Sequence, residues 1–164
     1  MHIGTSVADD DEAELFGPIA EQERDFYKAA VDGDVVQLQA LLEGGQLVDH
    51  LSPDVTCERP LPDQTDVQSP LKAGCCSALF LAALHGHCSA VRFLLSRGAD
   101  ASLESARGLT ALHAAAFYNE TGVLDMLLPA RALLWPRDRQ APASALQLAA
   151  CEGHVSSVAT LLAA

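Results

Sequence analysis

Apolar residues recur along this chain in the same order at intervals of 33 and then 34 residues. The stretch SALFLAALHGH at 77–87 is followed by TALHAAAFYNE at 110–120 and by SALQLAACEGH at 144–154. In the first half of each copy, a Leu and an Ala-Ala pair fall on one face of a helix. In the second half, a Val or Leu lies three residues before a Leu-Leu pair, which again gives one apolar face. Repetition at this period indicates supersecondary units stacked in an array.

Each copy predicts a pair of short helices joined by a tight reversal. A weaker fourth copy lies upstream, where Phe26, the pair Ala29-Ala30 and Gly33 occupy the corresponding slots. We expect helices over 25–32 and 35–43, 78–85 and 88–96, 111–118 and 121–128, and 145–152 and 155–162. The residues between the two helices of each pair accept the positive φ that such a reversal requires; they are Gly33, Gly86, Asn119 and Gly153.

This pattern resembles the ankyrin repeat. The closest matches are GLTALHAAA at 108–116 and GHCSAVRFLLSRGAD at 86–100, which follow the family signatures Gly-x-Thr-Pro-Leu-His-x-Ala-Ala and Gly-His-x-x-x-Val-x-x-Leu-Leu-x-x-Gly-Ala. The resemblance implies an all-α ankyrin-repeat solenoid over residues 23–164. Its four helix-turn-helix units are expected at about 23–43, 75–104, 107–138 and 141–164.

The units differ at the start of their first helix. Only the third unit keeps both the Thr and the His of the family signature, as Thr110 and His113. The other units carry Arg24/Tyr27, Ser77/Phe80 and Ser144/Gln147, so we expect weaker local order of the turn in those three.

Two segments fall outside the repeat pattern. Residues 44–74 lie between the first two units and contain four prolines, which predicts a loop insertion with little regular structure. Residues 1–22 include the acidic run DDDEAE at 9–14 and are expected to form a largely disordered tail. Docking of this tail to a basic partner is the functional alternative.

Charge and cysteine usage restrict the partners and the compartment. The net charge is −12, and residues 1–66 hold 16 of the 22 acidic side chains, so binding to nucleic acid or to an anionic membrane is disfavoured. The N-terminus does not resemble a secretory signal, and no apolar run is long enough for a membrane span. Five cysteines without a signal peptide predict reduced thiols and a cytoplasmic or nuclear protein.

Candidate chemistry is sparse. Zinc sites commonly use Cys-x-x-Cys pairs, which are absent here, although Cys57, Cys75, Cys76, His85 and His87 are close enough in sequence to be considered. No phosphate-binding or nucleophile motif occurs either. We therefore expect no catalysis, metal, cofactor or small-molecule substrate, and the rival interpretation is an enzyme that uses Cys75 or Cys76.

The resemblance also indicates where a partner would bind. In ankyrin repeats the two residues after the Ala-Ala pair lie on the concave face, and here these are Val31-Asp32, Leu84-His85, Phe117-Tyr118 and Cys151-Glu152. Aromatic and arginine side chains dominate binding hot spots, which also selects the linker after the third unit. The predicted partner-binding residues are His85, Phe117, Tyr118, Glu152, Trp135, Arg137 and Arg139.

Structural alternatives remain open for several of these residues. In the first alternative, one of the two rings of Phe117 and Tyr118, Phe117 in particular, packs between repeats and does not bind a partner. In the others, Leu134 or Trp135 fills a gap under a hairpin, and Arg137 and Arg139 pair with the acidic N-terminal half of the same chain.

The resemblance implies a protein-interaction scaffold or adaptor that binds a partner on its concave face and hairpin tips. A substrate receptor of a ubiquitin ligase is a narrower alternative. Solenoids usually need a terminal cap with a polar outer face, and none is visible after the last predicted helix at 155–162. A fragment, a short isoform and end-on pairing with another protein all remain open on that ground.

Overall fold

The computed structural model describes residues 18–52, 55–56, 72–73, 76–105, 108–130 and 144–163. Eight helices lie within these residues, in four successive pairs. They are α1 Pro18–Asp32, α2 Val35–Glu43, α3 Ala78–Leu84, α4 Cys88–Ser96, α5 Ala111–Phe117, α6 Thr121–Leu127, α7 Ala145–Cys151 and α8 Val155–Ala163. The first helices pack in the order α1, α3, α5 and α7, and the second helices α2, α4, α6 and α8 form a parallel layer. The predicted solenoid of four helix-turn-helix units is confirmed.

Helix boundaries follow the apolar periodicity closely. From α2 onward, every helix begins and ends within one residue of its predicted limits. The exception is α1, which begins at Pro18 rather than at 25 and so extends into the segment predicted as a tail. Proline suits the first position of a helix because its missing N–H has no intrahelical partner there. The acidic run at 9–14 lies outside the described residues.

The reversals inside the pairs adopt the predicted backbone conformation. In the third unit the reversal residue is Asn119, which has φ of 60°, whereas Gly33, Gly86 and Gly153 each have φ of 73° in the same slot. Asparagine tolerates this left-handed region better than other residues that carry a Cβ. One backbone geometry therefore recurs in all four units.

The first turns of α5 and α7 are both closed by a capping box. In α5 the backbone N–H of Thr110 donates to His113 Nδ1, 3.2 Å away. In α7 the backbone N–H of Ser144 donates to Gln147 Oε1 at 2.9 Å, and Ser144 Oγ accepts from the Gln147 backbone N–H at 3.2 Å. The expectation of weaker local order was therefore wrong for the fourth unit, because a glutamine amide supplies the acceptor that histidine supplies elsewhere.

Small side chains line the contact between neighbouring units. Ala82, Ala115 and Ala149 are fully buried, as are Ala83 and Ala116 beside them. The distance between packed helix axes, about 8–10 Å, depends on the side chains at the contact, and small side chains permit the closer approach. The alanine pairs are therefore what allows the four units to stack at close range.

The insertion after the first unit is more regular than expected. Strands β1 Leu51–Ser52 and β4 Cys76–Ser77 pair antiparallel, and β2 Val55–Thr56 pairs antiparallel with β3 Lys72–Ala73. The partner numbers add to 128 in all four residue pairs, so both pairings share one register. The two ends of the insertion are thus held together as a short ribbon that leads directly into α3.

Candidate protein-binding surface

The carboxyl ends of the stacked first helices form a row. Asp32 ends α1, Phe117 ends α5, and His85, Tyr118 and Glu152 are the C-cap residues of α3, α5 and α7. We refer to these five residues as the first-helix ridge. Because α1, α3, α5 and α7 pack side by side, residues in the same slot of each unit lie next to one another along this ridge.

The ridge is acidic at its two ends and aromatic in its centre. Asp32 and Glu152 are exposed, and His85, Phe117 and Tyr118 are half-buried. The rings of Phe117 and Tyr118 meet edge to face, with centroids 5.1 Å apart and planes at 81°. The ridge therefore combines two carboxylates with an ordered aromatic pair.

One prediction about this face needs correction. Leu84 was expected beside His85 on the binding face, but its side chain is fully buried, because it belongs to the core of the stacked units. The half-buried ring of Tyr118 also packs against this core. Trp135, Arg137 and Arg139 lie outside the described residues, so their contribution stays a prediction.

Two histidines tie the ridge to the following unit. His87 Nε2 donates to the backbone carbonyl of Val31 at 2.7 Å, and His154 Nε2 donates to that of Phe117 at 2.8 Å. Both carbonyls belong to the last turn of a first helix, where backbone acceptors lack an intrahelical partner. Sequence reasoning explained these histidines only by their repeat slot. The signal in the sequence was that His87 and His154 recur at the same position of their units. It did not identify their acceptors, which lie 56 and 37 residues away along the chain.

The third unit has a different residue in that slot. Glu120 replaces the histidine, and its carboxylate lies against Gly86, where a Cβ would collide with it. The boundary between the second and third units therefore carries a carboxyl side chain where the other two boundaries carry an imidazole.

Comparison with known proteins decides the family. Residues 26–138 and 79–164 match the sequence model of ankyrin repeats, in three copies. The chain belongs to the ankyrin-repeat family. Repeats of this family generally bind proteins.

One curated relative of this ankyrin-repeat chain is the probable E3 ubiquitin-protein ligase XBOS33 of Oryza sativa subsp. japonica. The two are 34% identical over 135 residues, which cover 82% of this chain. The aligned part is 22% of the rice protein, so the chain spans well under a third of that relative's length.

His113 has a structural position in the ankyrin unit. It is fully buried, and its Nδ1 accepts from the Thr110 N–H and lies 2.8 Å from Thr110 Oγ1. Burial lowers the pKa of His113 from 6.5 to about 4, because the protonated ring would lose its hydration. The imidazole is thus neutral near neutral pH and is enclosed away from any substrate.

The described cysteines do not form a reactive cluster. Cys76 is buried, whereas Cys88 and Cys151 are exposed on different units of the ankyrin array. Among the residues with described positions, no group of three or more His, Cys, Asp or Glu is arranged to hold a metal ion. Cys57 and Cys75 lie outside the described residues. None of the described helices α1 to α8 is long and apolar enough to cross a bilayer.

Proposed function

We propose that this ankyrin-repeat chain binds a partner protein on the first-helix ridge and on the hairpin tips beside it. The observation that carries the proposal is the alignment of exposed carboxylates and a half-buried aromatic pair along four stacked helix ends. Ordered aromatic side chains with partial exposure give large contact area at a low entropic cost, which is why they are frequent among hot spots. The two histidine bonds support it further by fixing the ends of α1 and α5 before a partner arrives.

Charge indicates the chemistry of that partner. The ridge carries Asp32 and Glu152 as its exposed acidic side chains, and the whole chain has a net charge of −12. A segment that presents Lys or Arg beside an apolar side chain matches both the carboxylates and the aromatic pair. Association should then be steered by charge, so its rate should fall as ionic strength rises.

The ridge is tested by substitution after a partner has been isolated by affinity capture. Glu152→Lys reverses an exposed charge and Tyr118→Ala removes the central ring. Each is expected to weaken binding about tenfold or more in calorimetric titration, the scale of a hot-spot residue. Gln37→Ala, at an exposed position on α2, is the matched control and should leave the affinity unchanged. Wild-type affinity in both ridge variants, with wild-type melting temperatures, would remove the ridge as the binding surface.

The linker residues are a separate part of the same proposal. Trp135, Arg137 and Arg139 bring an indole and two guanidinium groups into the segment between α6 and α7. The variant with alanine at all three positions should bind the same partner with lower affinity if the linker extends the binding surface. An unchanged affinity would restrict the surface to the ridge.

A second candidate is the substrate-recognition part of a ubiquitin ligase. The resemblance to a probable ubiquitin ligase over 135 residues favours it. In that case the captured partner should become ubiquitylated in the presence of the ligase of which this chain is a part. Glu152→Lys should then reduce both the binding and the ubiquitylation of the partner. A partner that binds the ridge without being ubiquitylated would favour the plain scaffold.

We propose no catalysis by the chain itself. Of the two cysteines in the rival interpretation, Cys76 is fully buried, which hinders attack on a substrate. Labelling with a thiol probe near neutral pH tests the interpretation directly. Rapid modification of Cys75 or Cys76, together with turnover in an activity screen, would contradict this proposal.

A further inference from the structure

Four of the five residues of the first-helix ridge occupy the same slot of their units. Asp32, His85, Tyr118 and Glu152 follow one another at shifts of 53, 33 and 34 residues, each at the carboxyl end of a first helix. Because α1, α3, α5 and α7 pack side by side, successive slots are separated by one interaxial distance, about 8–10 Å. The ridge therefore presents its side chains at a nearly constant interval.

The groups along the ridge follow the order carboxylate, imidazole, phenol, carboxylate. Asp32 and Glu152 are exposed at the two ends, and three intervals place them about 24–30 Å apart. His85 and Tyr118 are half-buried between them, and the ring of Phe117 supports Tyr118 edge to face. A partner that follows the ridge thus meets a site for a cation at each end and two ring surfaces in the centre.

Among regular peptide conformations, polyproline II keeps step with this interval. It has three residues per turn and rises about 3.1 Å per residue, so every third side chain points the same way, about 9.3 Å further along. Side chains on one face of a β-strand recur about every 6.6 Å. An α-helix needs two turns, about 10.8 Å, to exceed one interval. Three turns of polyproline II cover about 28 Å, which matches the length of the ridge.

We infer that the first-helix ridge binds a polyproline II segment of ten residues whose first and tenth side chains are basic and whose fourth and seventh are apolar. One side chain of the segment then faces each unit: the basic groups meet Asp32 and Glu152, and the apolar groups meet His85 and Tyr118. Proline-rich segments commonly dock on aromatic surfaces, because they are ordered before they bind. The inference rests on the proposed function, since it names the class of partner that the ridge takes.

The two ends of the ridge differ in their surroundings. Lys28 is exposed one helical turn before Asp32 on the same side of α1, so its ammonium group weakens the attraction of that carboxylate for a cation. The Glu152 end therefore supplies the stronger attraction. The Asp32 end is needed to distinguish one spacing of the two basic residues from another.

The probe is a synthetic ten-residue peptide with arginine at positions one and ten, leucine at positions four and seven, and proline elsewhere. Leucine at both inner positions serves either direction of the peptide along the ridge. The comparison peptide has the same composition, but its second arginine moves to position eight, which turns that side chain by about 120°. Calorimetric titration at low salt should show about threefold weaker binding of the comparison peptide, because one exposed ion pair is lost.

Variants and a third peptide separate the ridge and the conformation from general charge attraction. Asp32→Asn combined with Glu152→Gln should bind the two arginine spacings equally. Gln37→Ala, the exposed control on α2, should keep the threefold preference. A peptide with glycine in place of every proline should bind about tenfold more weakly than the probe, because it must be ordered on binding.

The inference is wrong if wild type binds the two arginine spacings equally, if the double variant keeps the preference, or if the glycine peptide binds as tightly as the probe. It is also wrong if no peptide binds while the captured partner still depends on Tyr118 and Glu152. That result would leave the proposed function intact, because the ridge would then bind a partner of another shape. A captured partner that is indifferent to both ridge residues would remove the proposed function and the inference together.

Discussion

Acidification is expected to destabilise the folded chain through one buried imidazole, His113. Its ring is fully buried, and Nδ1 accepts from the backbone N–H of Thr110, so the neutral form fits the site. Protonation would place a charge in the core and would turn this acceptor into a donor. Burial accordingly lowers the pKa of His113 from 6.5 to about 4.

The magnitude follows from the two pKa values. Between them the unfolded chain binds a proton that the folded chain does not, so lowering the pH favours unfolding. The contribution is fully present above about pH 6.5 and is lost progressively as the pH falls towards 4. The complete loss is about 3 kcal/mol, and about 2 kcal/mol of it should be lost by about pH 5.

The assay is urea unfolding of the wild type and of His113→Gln at about pH 7 and about pH 5. Glutamine keeps the acceptor of the capping box, as Gln147 does in α7, but does not titrate. All other titratable groups are identical in the two proteins, so their contributions cancel in the comparison. The wild type should lose about 2 kcal/mol more than the variant over this interval. Equal losses in the two proteins would refute the assignment of the pH dependence to His113.

Three further predictions concern bonds between and within units, each measured as the free energy of unfolding in urea. His87→Ala removes the bond to the end of α1 and should cost about 1 kcal/mol, without changing the secondary structure seen by circular dichroism. Asn119→Ala should cost about 2 kcal/mol, because alanine is strained at φ of 60° and the bond from Ser157 Oγ is lost. A stability equal to wild type would contradict both. Gln147→Ala opens the capping box at Ser144 and should cost about 1 kcal/mol; Gln147→Glu, which keeps an acceptor, is its control.

Several features of the fold could be predicted from the sequence because they depend on local interactions. Seven helices end where the apolar period ends, and Asn119 adopts the positive φ that its slot requires. The third unit keeps both Thr110 and His113 of the family signature, and the structure contains the hydrogen bond between them. Each of these depends on residues within about one helical turn of each other.

Other features depended on contacts between distant residues. The early start of α1 and the antiparallel ribbon in the insertion lie where the sequence has no repeat pattern to follow. Leu84 occupies a position that the family resemblance places on the binding face, but neighbouring residues bury its side chain. Part of the predicted site, the linker with Trp135, Arg137 and Arg139, stays untested.

The sequence by itself determined that the chain is a stack of helical hairpins, because a fixed period of small and apolar residues has a stable solution only when each unit covers the next. Only the tertiary structure decided which hydrogen-bond partners and which solvent exposure the repeated positions have. His87 donates to a carbonyl 56 residues away, and Ala150 is exposed where Ala116 is buried. The reason is that solvent exposure and hydrogen-bond partners are properties of the assembled neighbours, whereas period and turn geometry are properties of the chain over a few residues.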